Sequence, residues 1–488
     1  MHTNLALLTD LYQLTMAYSY WKLGRADRGA AFHLFFRNPP FAGGYAVAAG
    51  LGPAVEFLQG FQFDQSDVDY LATLTGRDAQ RLFDDDFLHY LHRLRLTCDV
   101  DAMPEGTVAF ANEPLVRVTG RMLECQLLET ALLNIINFQT LVATKAARIT
   151  SVTGGDSVIE FGLRRAQGVD GGLSASRAAY IGGCDSTSNV LAGKQYGIPV
   201  KGTHAHSWVM SFDDELTAFD AYAQAMPNNC VFLVDTYDTL QGVRNAVEIG
   251  RRLRERGHEM VGIRLDSGDL AYLSIEARKI LNAGGFPEAA IVASNDLDES
   301  IIESLKAQGA TISVWGVGTK LATAYDQPAL GGVYKLGATR DGHGPWEPKL
   351  KLSEQTAKIN IPGVLQVRRY RNGEGLVADM IYDENHAIDP RGTVVDVKDT
   401  HRRKSIADIS AGEDLLTPVM RGGEVVEPFA AGGEETLDAA RTRAQKQLAE
   451  LHPTIRRLLN PHEYPVGMDI GLFERRDKMI HEVKARLT

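Results

Sequence analysis

A short stretch, Lys201-Gly-Thr-His-Ala-His-Ser-Trp208, carries histidines at i and i+2, and other groups able to do chemistry recur at the ends of nearby apolar runs. His206 can accept or transfer charge near neutral pH. Asp235 ends one run; Asp266 and Asp269 follow Arg264 in Arg264-Leu-Asp-Ser-Gly-Asp-Leu270; Ser294, Asn295 and Asp296 end another. Aspartates are hard oxygen ligands, suited to hydroxyls or to Mg²⁺ held mostly through water and substrate phosphates. Arg164 and Arg165, the turn from Gly316 to Thr319 and the pair Gly331-Gly332 offer fixed positive charge and backbone N–H groups that cradle phosphates. Together the set suits a phosphorylated sugar with a metal. Each member also has a plainer reading. Glycine pairs mark tight turns, a strand-end arginine often makes a structural ion pair, and Asp269 could simply cap a helix opening at Leu270.

The histidine pair admits a rival. On a strand, residues i and i+2 face the same way and could share one Zn²⁺, as in a metal-dependent barrel hydrolase. That chemistry needs further ligands, and between the first and last of these runs the only other histidine is His258, which precedes its own run on the opposite edge. The metal ligands therefore stay unassigned.

These groups need a scaffold that gathers strand ends. From about Val158 the runs VIEFG, IPVKGT, VFLVDT, MVGIRLD, AIVASND, TISVWGVGT and GVYKL alternate with helical stretches, among them Thr239 to Gly257 and Leu270 to Leu281. From IPVKGT onward the spacing is roughly 20–30 residues, that of strand plus crossover helix in a parallel α/β fold. No Gly-x-Gly-x-x-Gly turn follows an early strand, and the polar residues sit at the C-terminal ends of the runs. Both features favour an irregular parallel α/β barrel over an open doubly wound sheet. Upstream, Gly29 to Arg37 reads as a strand, Gly44 to Phe61 and Asp85 to Leu96 as helices, and Val108 to Leu128 as two or three strands, an α+β unit. Thr130 to Ala147 reads as a helix leading into the barrel. Downstream, Lys349 to Tyr382 suggests hairpins around Asn372-Gly373, and Glu435 to Leu459 suggests helices. The divisions are an N-terminal α+β domain (1–135), a barrel (136–345) and a C-terminal region (346–488).

The chain has 488 residues, 44% hydrophobic and 23% charged, enough for more than one packed core. A net charge of −11 excludes a broad electrostatic footprint for nucleic acid or anionic lipid. Cys98, Cys125, Cys184 and Cys230 are widely spaced and read as reduced thiols, which points to the cytosol. The N-terminus lacks the basic start and small-residue cleavage site of a signal peptide, and no apolar run approaches the ~20 residues of a membrane helix.

Six stretches, Thr9 to Met16, Phe161 to Gly168, Ser188 to Gly193, Lys201 to Ser207, Arg264 to Leu270 and Leu330 to Lys335, resemble nicotinate phosphoribosyltransferases in order and spacing. The resemblance covers most of residues 5–340. It implies a type II phosphoribosyltransferase whose C-terminal region packs back on the N-terminal domain. Such an enzyme joins nicotinate to 5-phosphoribosyl 1-diphosphate, giving nicotinate mononucleotide and diphosphate for NAD salvage, with ATP as co-substrate and Mg²⁺ as cofactor. By the same matching, His206 is transiently phosphorylated; Tyr12, Thr203 and Arg264 contact nicotinate; Thr319, Gly331 and Gly332 hold the 5-phosphate. Arg164 lies near the phosphates, and Asp266 serves the substrate or its metal. A homodimer with shared active sites and a cytoplasmic location are also implied. The close rival is nicotinamide phosphoribosyltransferase, but a neutral amide would be better served by a carboxylate near Thr203 to Ala205, where this chain offers Thr-His-Ala.

Overall fold

The computed structural model describes residues 4–352, 359–430 and 432–487. The chain divides into two compact units, one of residues Val142–Pro328, the other of Met1–Leu141 with Ala329–Thr488.

The first unit is built on a wholly parallel six-stranded sheet. Its strands are β1 (Ser157–Glu160), β2 (Ser186–Thr187), β3 (Val231–Leu233), β4 (Gly262–Leu265), β5 (Ala290–Ala293) and β6 (Val314–Val317), in the spatial order β2-β1-β6-β5-β4-β3. Apart from β2, whose two residues are the buried Ser186 and Thr187, the strands are short apolar runs because both faces are covered: Phe232, Ile263, Ile291, Trp315 and Val158 are all buried. Helices supply the cover. Thr239–Glu255 buries Val243, Ala246, Val247, Gly250 and Leu253, spaced three and four apart. Four of these helices open on an aspartate, Asp214 taking the Thr217 N–H ahead of Glu215–Ala225. Asp238, Asp269 and Asp298 likewise each accept a backbone N–H three residues on, from Gln241, Tyr272 and Ile301. Asp269 is thus a helix cap, the plainer of its two readings.

Two of the expected strands behave otherwise. IPVKGT forms no named strand, since Pro199 has no N–H to donate. Its backbone runs beside β2 instead: the Thr187 N–H donates to Pro199 O and the Lys201 N–H to Thr187 O, both at 3.0 Å. GVYKL lies outside the parallel sheet altogether. It opens the strand Gly332–Arg340, which pairs antiparallel with Gly29–Phe36 in the other unit, from Phe36↔Gly332 to Gly29↔Arg340.

That second unit holds a seven-stranded and a six-stranded sheet. In the seven-stranded sheet, Gly29–Phe36 pairs with Val116–Arg121, which pairs with Asp99–Ala102, which pairs in turn with Thr417–Arg421, so C-terminal residues complete an N-terminal sheet. The six-stranded sheet contains the expected hairpin, Leu365–Asn372 with Gly375–Asp383, turning at Asn372↔Gly375. The rest of the hairpin expectation reaches residues 353–358, outside the described residues. His33 Nε2 accepts the Leu365 N–H at 3.0 Å and joins the two sheets. The expected helix from Gly44 begins only at Leu51. Gly50 ahead of it has φ +100°, and a Cβ there would lie 2.9 Å from Ile135 O. Met122–Leu127 is a helix rather than a third strand, and Glu129–Ser151 is the long helix expected there. No described helix is long and apolar enough to cross a membrane.

Candidate active site

The C-terminal ends of β3, β4 and β5 and the loop into the helix His206–Met210 bring one polar group of side chains together. Arg264, on β4, is its centre. Its Nε donates to Ser294 Oγ (2.9 Å), Nη1 to Thr203 Oγ1 (3.2 Å) and Nη2 to Asp266 Oδ1 (2.8 Å). Three of the five guanidinium N–H groups are so engaged, and a side chain 15% exposed can turn the others to a ligand. The Phe161 ring lies beside it, 5.5 Å from centroid to guanidinium carbon. Burial works against charge on Asp266, but the Ser294 hydroxyl and the Arg264 guanidinium outweigh it and hold the carboxyl below its ordinary value.

His206 stands next to this cluster, 38% exposed on its side chain. Its Nδ1 is 3.1 Å from Thr236 Oγ1, while Nε2 faces two carboxylates, Asp266 Oδ2 at 3.7 Å and Asp235 Oδ1 at 3.9 Å. The Asp235 side chain is fully buried. Its Oδ2 accepts the Asp266 N–H (2.8 Å) and the Ser267 hydroxyl (2.6 Å), whereas Oδ1 has no hydrogen-bond partner. A buried carboxylate oxygen left open beside an exposed imidazole is costly and is a feature of functional sites.

The other histidine of the pair turns away. Residues 201–205 are not a strand, so His204 and His206 do not share a face: His204 Nε2 accepts the Leu233 N–H at 3.2 Å. The zinc-chelate geometry is therefore lost. Among the described residues no three His, Cys, Asp or Glu side chains converge as a metal cage.

Further along the same sheet edge, the turn carrying Arg164 abuts the turn leading to Thr319. The Phe161 N–H donates to Val317 O (2.8 Å), and a Cβ on Gly162 would lie 2.2 Å from Ala322 Cβ. Only glycine permits that approach. Arg164 is exposed and Thr319 half-buried. Asn295 and Asp296, after β5, both take positive φ (96° and 41°), backbone strain of a kind that gathers at ligand sites. Of the residues expected from sequence, Thr203, His206, Arg264 and Asp266 come together here, with Arg164 and Thr319 on neighbouring turns. Tyr12, Gly331 and Gly332 belong to the other unit. There Tyr12 is 47% exposed on the helix Leu11–Lys22, and Gly331 has φ +72°. A Cβ on Gly332 would lie 2.0 Å from Asn137 Oδ1. Sequence reasoning passed over Thr236 and Phe161. The available signals were a hydroxyl directly after a strand-end acid and an aromatic at the end of VIEFG.

Comparison with known proteins gives these features a context. Three family descriptions match: the nicotinate phosphoribosyltransferase N-terminal domain over residues 7–137, the nicotinate phosphoribosyltransferase family over 157–339, and the C-terminal domain over 366–476. Nicotinate phosphoribosyltransferase of Bacillus subtilis is 44% identical over 99% of this chain and 97% of its own. That of Homo sapiens is 37% identical over 94% of each. The crystal structure of human nicotinic acid phosphoribosyltransferase superposes with a TM-score of 0.83 at 34% identity, covering 96% of this chain and 99% of that one. Nicotinate-nucleotide pyrophosphorylase from Pyrococcus furiosus, at 21% identity and a TM-score of 0.68, shares the fold. The chain belongs to the nicotinate phosphoribosyltransferase family, glycosyltransferases of NAD biosynthesis.

Proposed function

We propose that nicotinate phosphoribosyl transfer takes place at the C-terminal edge of the parallel sheet and is coupled to ATP through phosphorylation of His206. The observation that carries this reading is the exposed His206 Nε2 facing the open oxygen of buried Asp235. With Nδ1–H donating to Thr236, Nε2 keeps its lone pair. As the N–P bond forms and the bond to the departing ADP oxygen breaks, the ring becomes cationic, and Asp235 offsets that charge. Arg264 and the Thr203 hydroxyl suit a carboxylate better than a neutral amide, and Phe161 offers a ring face beside them. Nicotinate held there attacks the sugar C1 through its ring nitrogen, and diphosphate leaves with the C1–O electron pair. By family resemblance Tyr12 also contacts nicotinate, Thr319 with Gly331 and Gly332 holds the 5-phosphate, and Arg164 lies near the phosphates.

The residues fit Mg²⁺ brought in with these phosphates. Asp266 Oδ2, on a side chain 31% exposed, would be the carboxylate oxygen such an ion takes, and the ion would neutralise charge on the leaving diphosphate.

The sheet is read as an irregular barrel. The support is backbone pairing of Pro199 to Lys201 beside β2, at one edge of the strand order, and the His204 contact to β3 at the other. Three domains, 1–135, 136–345 and 346–488, are supported by the three family matches. Tyr12 and Met16, one turn apart on the helix Leu11–Lys22, are both exposed, which supports a homodimer in which Tyr12 completes the partner's site. Four buried cysteines, none in a disulfide, fit a reducing cytoplasm.

The test is to incubate the purified protein with 5-phosphoribosyl 1-diphosphate, Mg²⁺ and nicotinate, with and without ATP, measuring mononucleotide and acid-labile phosphoenzyme. His206→Ala is expected to abolish both the phosphoenzyme and the stimulation by ATP while remaining folded. Full ATP stimulation in that variant would overturn the phosphohistidine reading.

A further inference from the structure

We infer that His204 is a positioning residue: its ring stands in for a missing strand carbonyl, ties the loop Lys201–His206 to β3, and so sets Thr203 against Arg264. The inference rests on the reading of Thr203 and Arg264 as the nicotinate clamp.

β3 pairs with β4 on one side only, where Phe232 is opposite Ile263 and the Val234 N–H donates to Arg264 O. In a parallel pair, alternate N–H groups point to the other side. The Leu233 N–H therefore points away from β4, and Leu233 is buried, so water does not satisfy it. At the opposite edge of the strand order, β2 is bordered by Pro199 to Lys201. That segment bears on Leu233 through His204, whose Nε2 accepts the Leu233 N–H at 3.2 Å. Asn229 Nδ2 donating to Gly202 O at 3.4 Å is a second link across the same gap.

The ring is equipped to accept. It is buried, edge-on to Tyr222 at 4.8 Å between centroids and near Phe219 at 6.0 Å. Burial pulls its pKa down to about 4; the Ala205 carbonyl opposes this, while Arg264 and His206 add to it. A neutral ring with its hydrogen on Nδ1, 3.4 Å from Ala205 O, leaves the Nε2 lone pair for Leu233. Thr203 precedes His204 directly, and its hydroxyl accepts from Arg264 Nη1. His206 follows two residues later and opens its helix. Anchoring residue 204 thus fixes both neighbours, a role that neither metal binding nor proton transfer requires.

The test compares His204→Leu, which keeps bulk but loses the acceptor, with His204→Gln, whose amide oxygen reaches about as far as Nε2. In His204→Leu, KM for nicotinate is expected to rise about tenfold and KM for 5-phosphoribosyl 1-diphosphate to stay within about twofold. The Leu233 amide should also exchange faster with deuterium. His204→Gln is expected to restore nicotinate KM to within about threefold of the natural protein. Two outcomes overturn the proposal: a His204→Leu protein of lowered melting temperature but unchanged nicotinate KM, or a His204→Gln protein no better than His204→Leu. Should His204→Leu fail to fold, His204→Gln decides alone, and a tenfold rise in its nicotinate KM refutes the role. Arg264→Gln, run in parallel, separates the two readings. If it loses nicotinate while His204→Leu does not, only the positioning role falls; if it leaves nicotinate KM unchanged, the clamp reading falls and takes the positioning role with it.

Discussion

Arg264 and Arg369 are both strand arginines paired with an aspartate, yet they do opposite things. Arg369, on Leu365–Asn372 in the six-stranded sheet of the second unit, is completely buried. It donates to Asp379, to Gln447 Oε1 (2.9 Å) and to Val108 O (2.7 Å), and Tyr464 closes the cluster by donating to Asp379 Oδ1 (3.0 Å). Its planar fork is satisfied by protein groups alone. Arg264 is engaged by Ser294, Thr203 and Asp266 and remains partly open. The difference teaches that an arginine–aspartate pair is structural when the surroundings saturate it and functional when they stop short.

The comparison can be broken from either side. Asp379→Ala breaks this buried pair by removing the carboxylate that takes the Arg369 fork, and it should lower stability by about 3–5 kcal/mol in thermal or denaturant unfolding. A loss under about 1 kcal/mol would mean that water reaches the cluster. Arg264→Gln should do the reverse. With its carboxylate partner near solvent, stability should change little, while kcat/KM for nicotinate falls on the order of 100-fold, the worth of a charge-assisted contact. A variant that melts early yet binds nicotinate normally would assign Arg264 to the structural class.

Neither outcome could be read from the sequence, where Arg369 and Arg264 look alike. Five strands of the parallel sheet were legible because they are apolar runs: β1 runs into VIEFG, and β3 to β6 fall within VFLVDT, MVGIRLD, AIVASND and TISVWGVGT, whereas β2, only Ser186 and Thr187, carries no apolar signal and was missed. GVYKL misled because it continues the same spacing; its partner Gly29–Phe36 lies some 300 residues upstream, a distance that periodicity does not report. IPVKGT misled through Pro199, which spoils regular pairing while leaving the apolar pattern intact. At the site, residue types announced His206, Arg264 and Asp266. The open oxygen of Asp235 and the hydroxyl of Thr236 acquire meaning only from distance. His204 was ambiguous because facing direction depends on whether residues 201–206 are a strand, and they are not.

The smallest expected effect sharpens the contrast through pH. Asp266 has its carboxyl held below the ordinary 3.8, so its stabilising contribution is present above that pH and is lost as pH falls below it. Glu113 beside the Arg369 cluster is the opposite case. Burial, reinforced by the neighbouring Asp379 charge, pushes its carboxyl well above the ordinary 4.5 and outweighs the pull of Arg369. An acid whose folded pKa is raised keeps its proton in the folded state and releases it on unfolding. It therefore costs stability progressively as pH climbs above 4.5. Glu113→Gln, which mimics the protonated acid, should remove that cost. The unfolding free energy of the variant, measured from pH 4 to 8, is expected to fall less steeply with rising pH than that of the natural protein, with the gap widest at the alkaline end. Parallel curves would show that Glu113 is ionised in the fold, and that the saturated cluster holds one more negative charge than its single arginine can match.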